Sequence, residues 1–299
     1  MDTWLRRTAR VVGTIVGALA GVVALQLYRL RRTPFLGSPG FIVDHIVGPE
    51  DARPLRMVAF GDSTTAGVGV ETPLDALPVQ LAREVARRRE RRVHVTSYGW
   101  PGARITDLVR EQVPRARDEI DRRSGRPILS SADVVVIVAG ANDVTHRTPP
   151  RRFRAALRQV LEEIRAAAPH AEVVLAGIPS FRGTLRHVEP LIWMTDQYAR
   201  LLRPIGRHEA ARAGIAFADL AAQLPGRARL APGVLASDGF HPSALGYGWW
   251  ARVIADALDA GPTGRAPNAA SVEPSADDQA TRTRMVWWPR APSGSGRVR

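Results

Sequence analysis

The sequence predicts an α/β fold: a three-layer α/β/α sandwich with a mainly parallel five-stranded sheet, preceded by one N-terminal apolar helix. Three observations predict it. Apolar strand-like runs alternate with amphipathic stretches from residue 57 to residue 259, the order expected of βα units. The run Val134-Val135-Val136-Ile137-Val138 is apolar on both faces, as a strand covered on both sides must be. Hydrophobic residues make up 45% of the 299 positions, enough for a core of that size.

The elements follow in chain order. Val11 to Leu27 is a 17-residue apolar run broken only by Thr14 and Gln26, with Arg6, Arg7 and Arg10 before it and Arg29, Arg31 and Arg32 after it. Trp4 and Tyr28 occupy positions of interfacial aromatics. Residues 1–34 therefore read as a membrane anchor, with membrane contact through residues 11–28. The alternative is a cleaved signal peptide at Ala18-Leu19-Ala20, which would leave an apolar stub behind. Flanking arginines balance three against three, and the expected sidedness is N-terminus inside and the bulk of the chain extracytoplasmic, or secreted if the segment is cleaved. Gly13, Gly17 and Gly21 repeat at GxxxG spacing, a pattern that packs helices closely and is also common in membrane segments generally.

Residues 35–54 read as a linker. The strands expected of the 55–260 domain are Met57–Phe60, Val93–Val95, Val134–Ala139, Val173–Ile178 and Ile215–Leu220. Leu74, Leu77, Leu81 and Val85 mark one helix face by their three- and four-residue steps, and Phe153, Leu157, Val160, Leu161 and Ile164 mark a second. Leu245, Trp249 and Val253 mark a third. Residues 261–299 are rich in Pro, Gly, Ala, Ser and Arg without apolar periodicity, and read as a disordered tail. Its one local feature is Met285-Val286-Trp287-Trp288-Pro289, either an idle sticky patch or a contact for a membrane or partner.

Composition excludes several functions. The chain has no cysteine, so a disulfide scaffold, an iron–sulfur cluster and a cysteine nucleophile are ruled out. A formal charge of +13 suggests a polyanion partner, but all 42 basic residues are arginine, which points to coding bias. Residues 35–260 carry 30 Arg against 25 acids, close to ordinary. With no recognition motif or stacking-aromatic array, no nucleic-acid partner is expected. The cluster Arg87-Arg88-Arg89-Glu90-Arg91-Arg92 suits a helix C-terminus, with attraction to anionic headgroups as the alternative. No metal site is expected: the histidines show no HExxH spacing and the acids no ligand cluster. No cofactor is called for.

In parallel sheets, chemistry sits beyond the carboxyl ends of strands. The first strand ends in Gly61-Asp62-Ser63-Thr64-Thr65, which places a serine hydroxyl at the sheet's mouth; Thr65 stands where a GxSxG elbow would need glycine. The second ends in Tyr98-Gly99-Trp100-Pro101-Gly102, where two glycines allow a tight turn and close approach of an N–H. The third ends in Gly140-Ala141-Asn142-Asp143, which offers a neutral side-chain N–H or a helix cap. Before the last helix comes Asp238-Gly239-Phe240-His241-Pro242. That spacing lets the carboxylate hold the imidazole Nδ1–H and leaves Nε2 as a base. Together these residues supply every role needed for acyl transfer.

The ordered set resembles the SGNH hydrolases, the GDSL lipase/esterase family, over about residues 55–259. Gly61-Asp62-Ser63, Gly102, Gly140-Ala141-Asn142-Asp143 and Asp238-x-x-His241-Pro242 match its four blocks. Ser97 departs from the asparagine that many members carry before the glycine block. The resemblance implies a serine hydrolase of carboxylic esters, with Ser63 as nucleophile, His241 as base and Asp238 as its partner. The Ser63 and Gly102 N–H groups and the Asn142 side chain would form the oxyanion hole. Trp100 and Phe240 are candidate substrate contacts; with Trp193 and Met194 they would line an acyl groove, core packing being the alternative. The expected partner is an ester or lipid-like small molecule. Other readings are an acetyl esterase, an acyltransferase or thioesterase, and a catalytically silent envelope-binding protein.

Overall fold

The computed structural model describes residues 2–32, 35–50, 54–122, 124–184, 188–224 and 232–262. Of the expected tail, residues 263–299, with Met285–Pro289, lie outside the described residues. In chain order the elements are α1 (Asp2–Arg32), β1 (Asp44–Val47), β2 (Leu55–Gly61), α2 (Ser63–Ala66), α3 (Leu77–Arg89) and β3 (Val93–Ser97). Next come α4 (Ile105–Asp107), a π-helical turn (Leu108–Gln112), α5 (Val113–Asp118), β4 (Val134–Val138), α6 (Ala141–Thr145) and α7 (Pro150–Ala167). The chain continues through β5 (Glu172–Ala176), α8 (Leu191–Arg212), β6 (Ala216–Ala218), α9 (Leu220–Gln223) and α10 (Ala244–Ala260).

The sheet has six strands in the order β1-β3-β2-β4-β5-β6. The five expected strands form its parallel part. The sixth, β1, lies in the segment expected as a linker and pairs antiparallel with β3, Asp44 opposite Thr96 and Val47 opposite Val93. Hydrogen bonding from His94 Nε2 and the Thr96 hydroxyl to the Asp44 carboxylate fastens this edge.

Side-chain alternation builds two cores from one sheet. Val58, Phe60, Val135, Ile137, Val173 and Leu175 face α7 and α8. Met57, Ala59, Val134, Val136, Val174 and Ala176 face α3 and α10. Each of these strand residues is at most 4% exposed, which is why their sequences read as continuous apolar runs. Helix α3 begins at Leu77, not Leu74; Pro78 falls in its first turn, where a missing N–H costs nothing, and Leu74 lies outside on an exposed turn.

The arginines that end α3 bind within the domain. Arg88 reaches Asp256 and Asp259 on α10, both at 2.8 Å, and Arg89 grips both oxygens of Glu172 on β5 at 2.6 and 2.7 Å.

The chain steps from β2 to β3 on one side, then crosses to β4 on the other. The crevice beyond the ends of β2, β3 and β4 is thus a topological switch point, where open α/β sheets hold their ligands.

Candidate active site

Ser63 is the first residue of α2, directly beyond β2. Asp62 caps this short helix: its Oδ1 accepts from the Thr64 N–H at 3.0 Å and from the Thr64 hydroxyl at 2.9 Å. Burial pushes the Asp62 carboxyl above the usual carboxylate range, and these hydrogen bonds only partly offset it. As a first-turn residue, Ser63 has an N–H with no intrahelical acceptor.

The strand feeding this turn is finished by a residue that sequence reasoning missed. Ala59 accepts from Tyr98 N–H on the β3 side. Two residues on, Gly61 faces the same way, but β3 has already turned off. The fully buried Gln112, from the π-helical turn, takes the vacated place. Its Oε1 accepts from Gly61 N–H at 2.9 Å and its Nε2 donates to Gly61 C=O at 2.7 Å.

The two glycines of the second loop have different tasks. Gly99 gives way to Thr65, since a Cβ there would lie 1.9 Å from the Thr65 hydroxyl oxygen. Gly102 adopts φ +83°, a conformation that favours glycine, and has open space around it. Ser97, at the position of departure from the family pattern, joins the first two blocks by donating to Thr65 C=O at 2.8 Å.

At the end of β4, Asn142 donates through Nδ2 to Ala103 C=O at 3.0 Å, which holds its amide beside the second loop. The neighbouring Asp143 is fully buried, accepts the Ile105 N–H at 2.9 Å, and has its carboxyl pushed upward by burial.

Asp238 and His241 lie in the turn before α10. Asp238 Oδ1 accepts the backbone N–H groups of Phe240 and His241 at 2.9 and 3.0 Å. His241 Nδ1 lies 2.6 Å from Asp238 Oδ2, and because an ionised carboxylate can only accept, Nδ1 carries the proton. Nε2 is then left to accept from the Ser63 hydroxyl at 3.0 Å. Burial alone would raise the Asp238 carboxyl, but the hydrogen bonds from His241 and the two backbone N–H groups outweigh it and hold the group below its ordinary value. Fully buried Tyr247 on α10 donates to Val68 C=O, tying this helix to the loop after Ser63.

Ser63, Gly102, Asn142 and His241 all line one cavity of about 470 Å³, with apolar walls that include Phe181, Leu220, Val234, Phe240 and Trp249. Half-buried Trp100 is not part of that lining, and Trp193 stands 50% exposed on α8. Phe35 and Leu36, from the segment expected only to link, also line the cavity. Phe35 packs edge-on to Phe240 and His241 at centroid distances of 5.2 and 6.1 Å. A serine hydroxyl donating to an imidazole that is oriented by a carboxylate can pass its proton to the ring as the oxygen attacks.

The family described as GDSL-like lipase/acylhydrolase matches residues 59–249. The chain belongs to this family and is an ester-bond hydrolase. Among solved structures, a lipase from a goat rumen metagenome aligns with a TM-score of 0.52 at 18% identity, over 67% of this chain and 95% of its own. LAE5, an α/β hydrolase enzyme from the metagenome of Lake Arreo in Spain, aligns with a TM-score of 0.50 at 19% identity, over 68% and 94%. At these identities the likeness is one of fold. Comparison with curated protein sequences returns no match.

Proposed function

We propose that this protein is a membrane-anchored serine hydrolase that cleaves carboxylic esters bearing an apolar acyl group. The observation that carries the reading is the hydrogen-bonded chain from Ser63 through His241 to Asp238, at 3.0 and 2.6 Å, opening on an apolar cavity. Ser63 Oγ attacks the ester carbonyl while His241 Nε2 takes its proton. Asp238 stabilises the imidazolium so formed. The tetrahedral oxyanion is met by the N–H groups of Ser63 and Gly102 and by the Nδ2 hydrogen of Asn142 that is not given to Ala103. His241 returns its proton to the departing alcohol, and water, deprotonated by the same imidazole, then releases the acid and restores Ser63. An acetyl group would leave most of a cavity of about 470 Å³ unfilled, which favours a longer acyl chain.

Helix α1 supports the anchoring part of the reading. It includes Trp4–Leu30, a stretch long and apolar enough to cross a bilayer, with a mean hydropathy of 2.0 over its best window and no fully buried residue in that window. In this reading the catalytic domain lies on the extracytoplasmic side.

The test is hydrolysis of p-nitrophenyl esters by the full chain and by Ser63→Ala, with fluorophosphonate labelling and mass spectrometry of the adduct. Turnover by the wild type alone, with the adduct on Ser63, is the expected result. Equal inertness of both proteins, or labelling elsewhere, refutes the reading. Retention of the chain in carbonate-washed membranes, with the domain open to added protease from the outside, checks the anchor and its sidedness.

A further inference from the structure

A second cavity, of about 280 Å³, lies next to the one that Ser63 faces, and the two share Phe35 and Thr145 as walls. Its lining is mainly apolar and comes from two sources: Leu27 and Leu30 at the end of α1, and Val144, Leu191, Met194 and Tyr198 of the domain. One charged side chain, Arg147, borders it, and it lies in an exposed turn that lets its head reach water. The helix of the proposed anchor is therefore a wall of this space. It is fixed there by Gln26 Nε2, which donates to Glu189 C=O at 2.8 Å in the turn before α8. On that same turn and the start of α8, Val188 and Trp193 are 48% and 50% exposed, as apolar and indole side chains at a bilayer interface would be.

We infer that the second cavity is a distal acyl-chain site: the substrate is a long-chain ester of the bilayer whose tail passes Phe35 and ends between α1 and α8. This rests on the esterase reading above and adds the class of acyl group and its route. Phe35 follows the anchor helix closely in sequence, packs on Phe240 and His241, and forms the partition between the two spaces. A short acyl group fills only the near cavity; a long one displaces the Phe35 ring and continues into the far cavity. Each methylene buried there adds to kcat/KM for as long as the far cavity has room, so selectivity for chain length is set by the anchor segment together with α8.

The experiment uses the full chain in mixed detergent–lipid micelles. Values of kcat/KM for p-nitrophenyl butyrate and palmitate are compared in the wild type, in Met194→Trp, which fills the far cavity, and in Phe35→Ala, which opens the partition. The palmitate-to-butyrate ratio is expected to fall about tenfold or more in Met194→Trp, the effect of excluding some two methylenes, and to rise in Phe35→Ala. Phe35 also touches His241, so the decisive variant is Met194→Trp. An unchanged ratio there overturns the inference. Binding of a neutral pyrene-labelled long-chain ester to Ser63→Ala, with and without Met194→Trp, reads the cavity without turnover. Affinity lowered by the tryptophan supports the site, and equal affinity refutes it. If no protein hydrolyses either ester, the catalytic reading fails, and the binding comparison still decides this one.

Discussion

Gln112 is where a substitution far from Ser63 in sequence should be felt at Ser63. Gln112→Met keeps the length of the side chain, fills the same space and removes both hydrogen bonds to the Gly61 peptide. That peptide lies at the buried end of β2, where β3 offers no replacement and where Gly61 is itself buried. Two backbone groups are left without partners, at about 1–2 kcal/mol each, for a loss of roughly 3 kcal/mol. In a domain of this size each kcal/mol lowers Tm by about 2–4 °C, so a drop of about 6–12 °C is expected by differential scanning calorimetry. Catalysis should suffer as well. Gly61 leads through Asp62 directly into Ser63, and a shift of that turn lengthens the 3.0 Å contact to His241, so kcat should fall about tenfold or more with KM little changed. A Gln112→Met protein with wild-type Tm and kcat would falsify the claim that this carboxamide completes the strand.

Two further outcomes are expected. Asn142→Ala should lower kcat about 10²- to 10³-fold while leaving KM within a few-fold, because the lost donor acts on the oxyanion more than on the ground state; a drop under threefold in steady-state assays would remove Asn142 from the oxyanion hole. Acid should destabilise the fold through Glu209 and Asp196. Glu209 is hydrogen-bonded by Arg158 and Arg212, which outweighs its burial, and Asp196 is held low by Arg203, Arg200 and Arg182 against the opposing effect of burial. Both have folded-state values below their unfolded ones, so the unfolded chain binds more protons and stability falls as pH drops below about 4. Asp62 and Asp143, raised by burial, work in the opposite direction. In urea melts Glu209→Gln should therefore be less stable at neutral pH and show a flatter acid limb; an unchanged acid limb would show that this ion pair does not set it.

The parts of this protein that could be read from sequence are those whose signal is local. The Val134–Val138 run is legible because both of its faces are buried by helices, so each residue is constrained in the same way. The candidate site residues Ser63, Gly102, Asn142, Asp238 and His241 could be named from sequence because each sits in a short block just past a strand or before a helix. Strand β1 is not: four residues, Asp44-His45-Ile46-Val47, pair on one side only and show no alternation against polar neighbours. Helix α8 is blurred by Pro204 within it and by an exposed face rich in arginine. Gln112 is invisible for another reason. Its partner is 51 positions away, and a glutamine in a helical stretch has no sequence mark that it will complete a strand. Phe35 and Leu36 gave no signal either, since a residue in an extended segment shows its role only by what it packs against.

The placement of Phe35 and Leu36 bears on where this enzyme can work. From Arg32, the last residue of α1, to Phe35 is three Cα steps, at most about 11 Å. If α1 resides in a bilayer, the wall that Phe35 gives the Ser63 cavity cannot travel further than that from the end of the helix. Turnover would then follow interfacial kinetics: the rate depends on the mole fraction of ester in the surface, and diluting the bulk solution leaves it unchanged. Such an enzyme searches in two dimensions, and spreading the same ester through more inert lipid slows it.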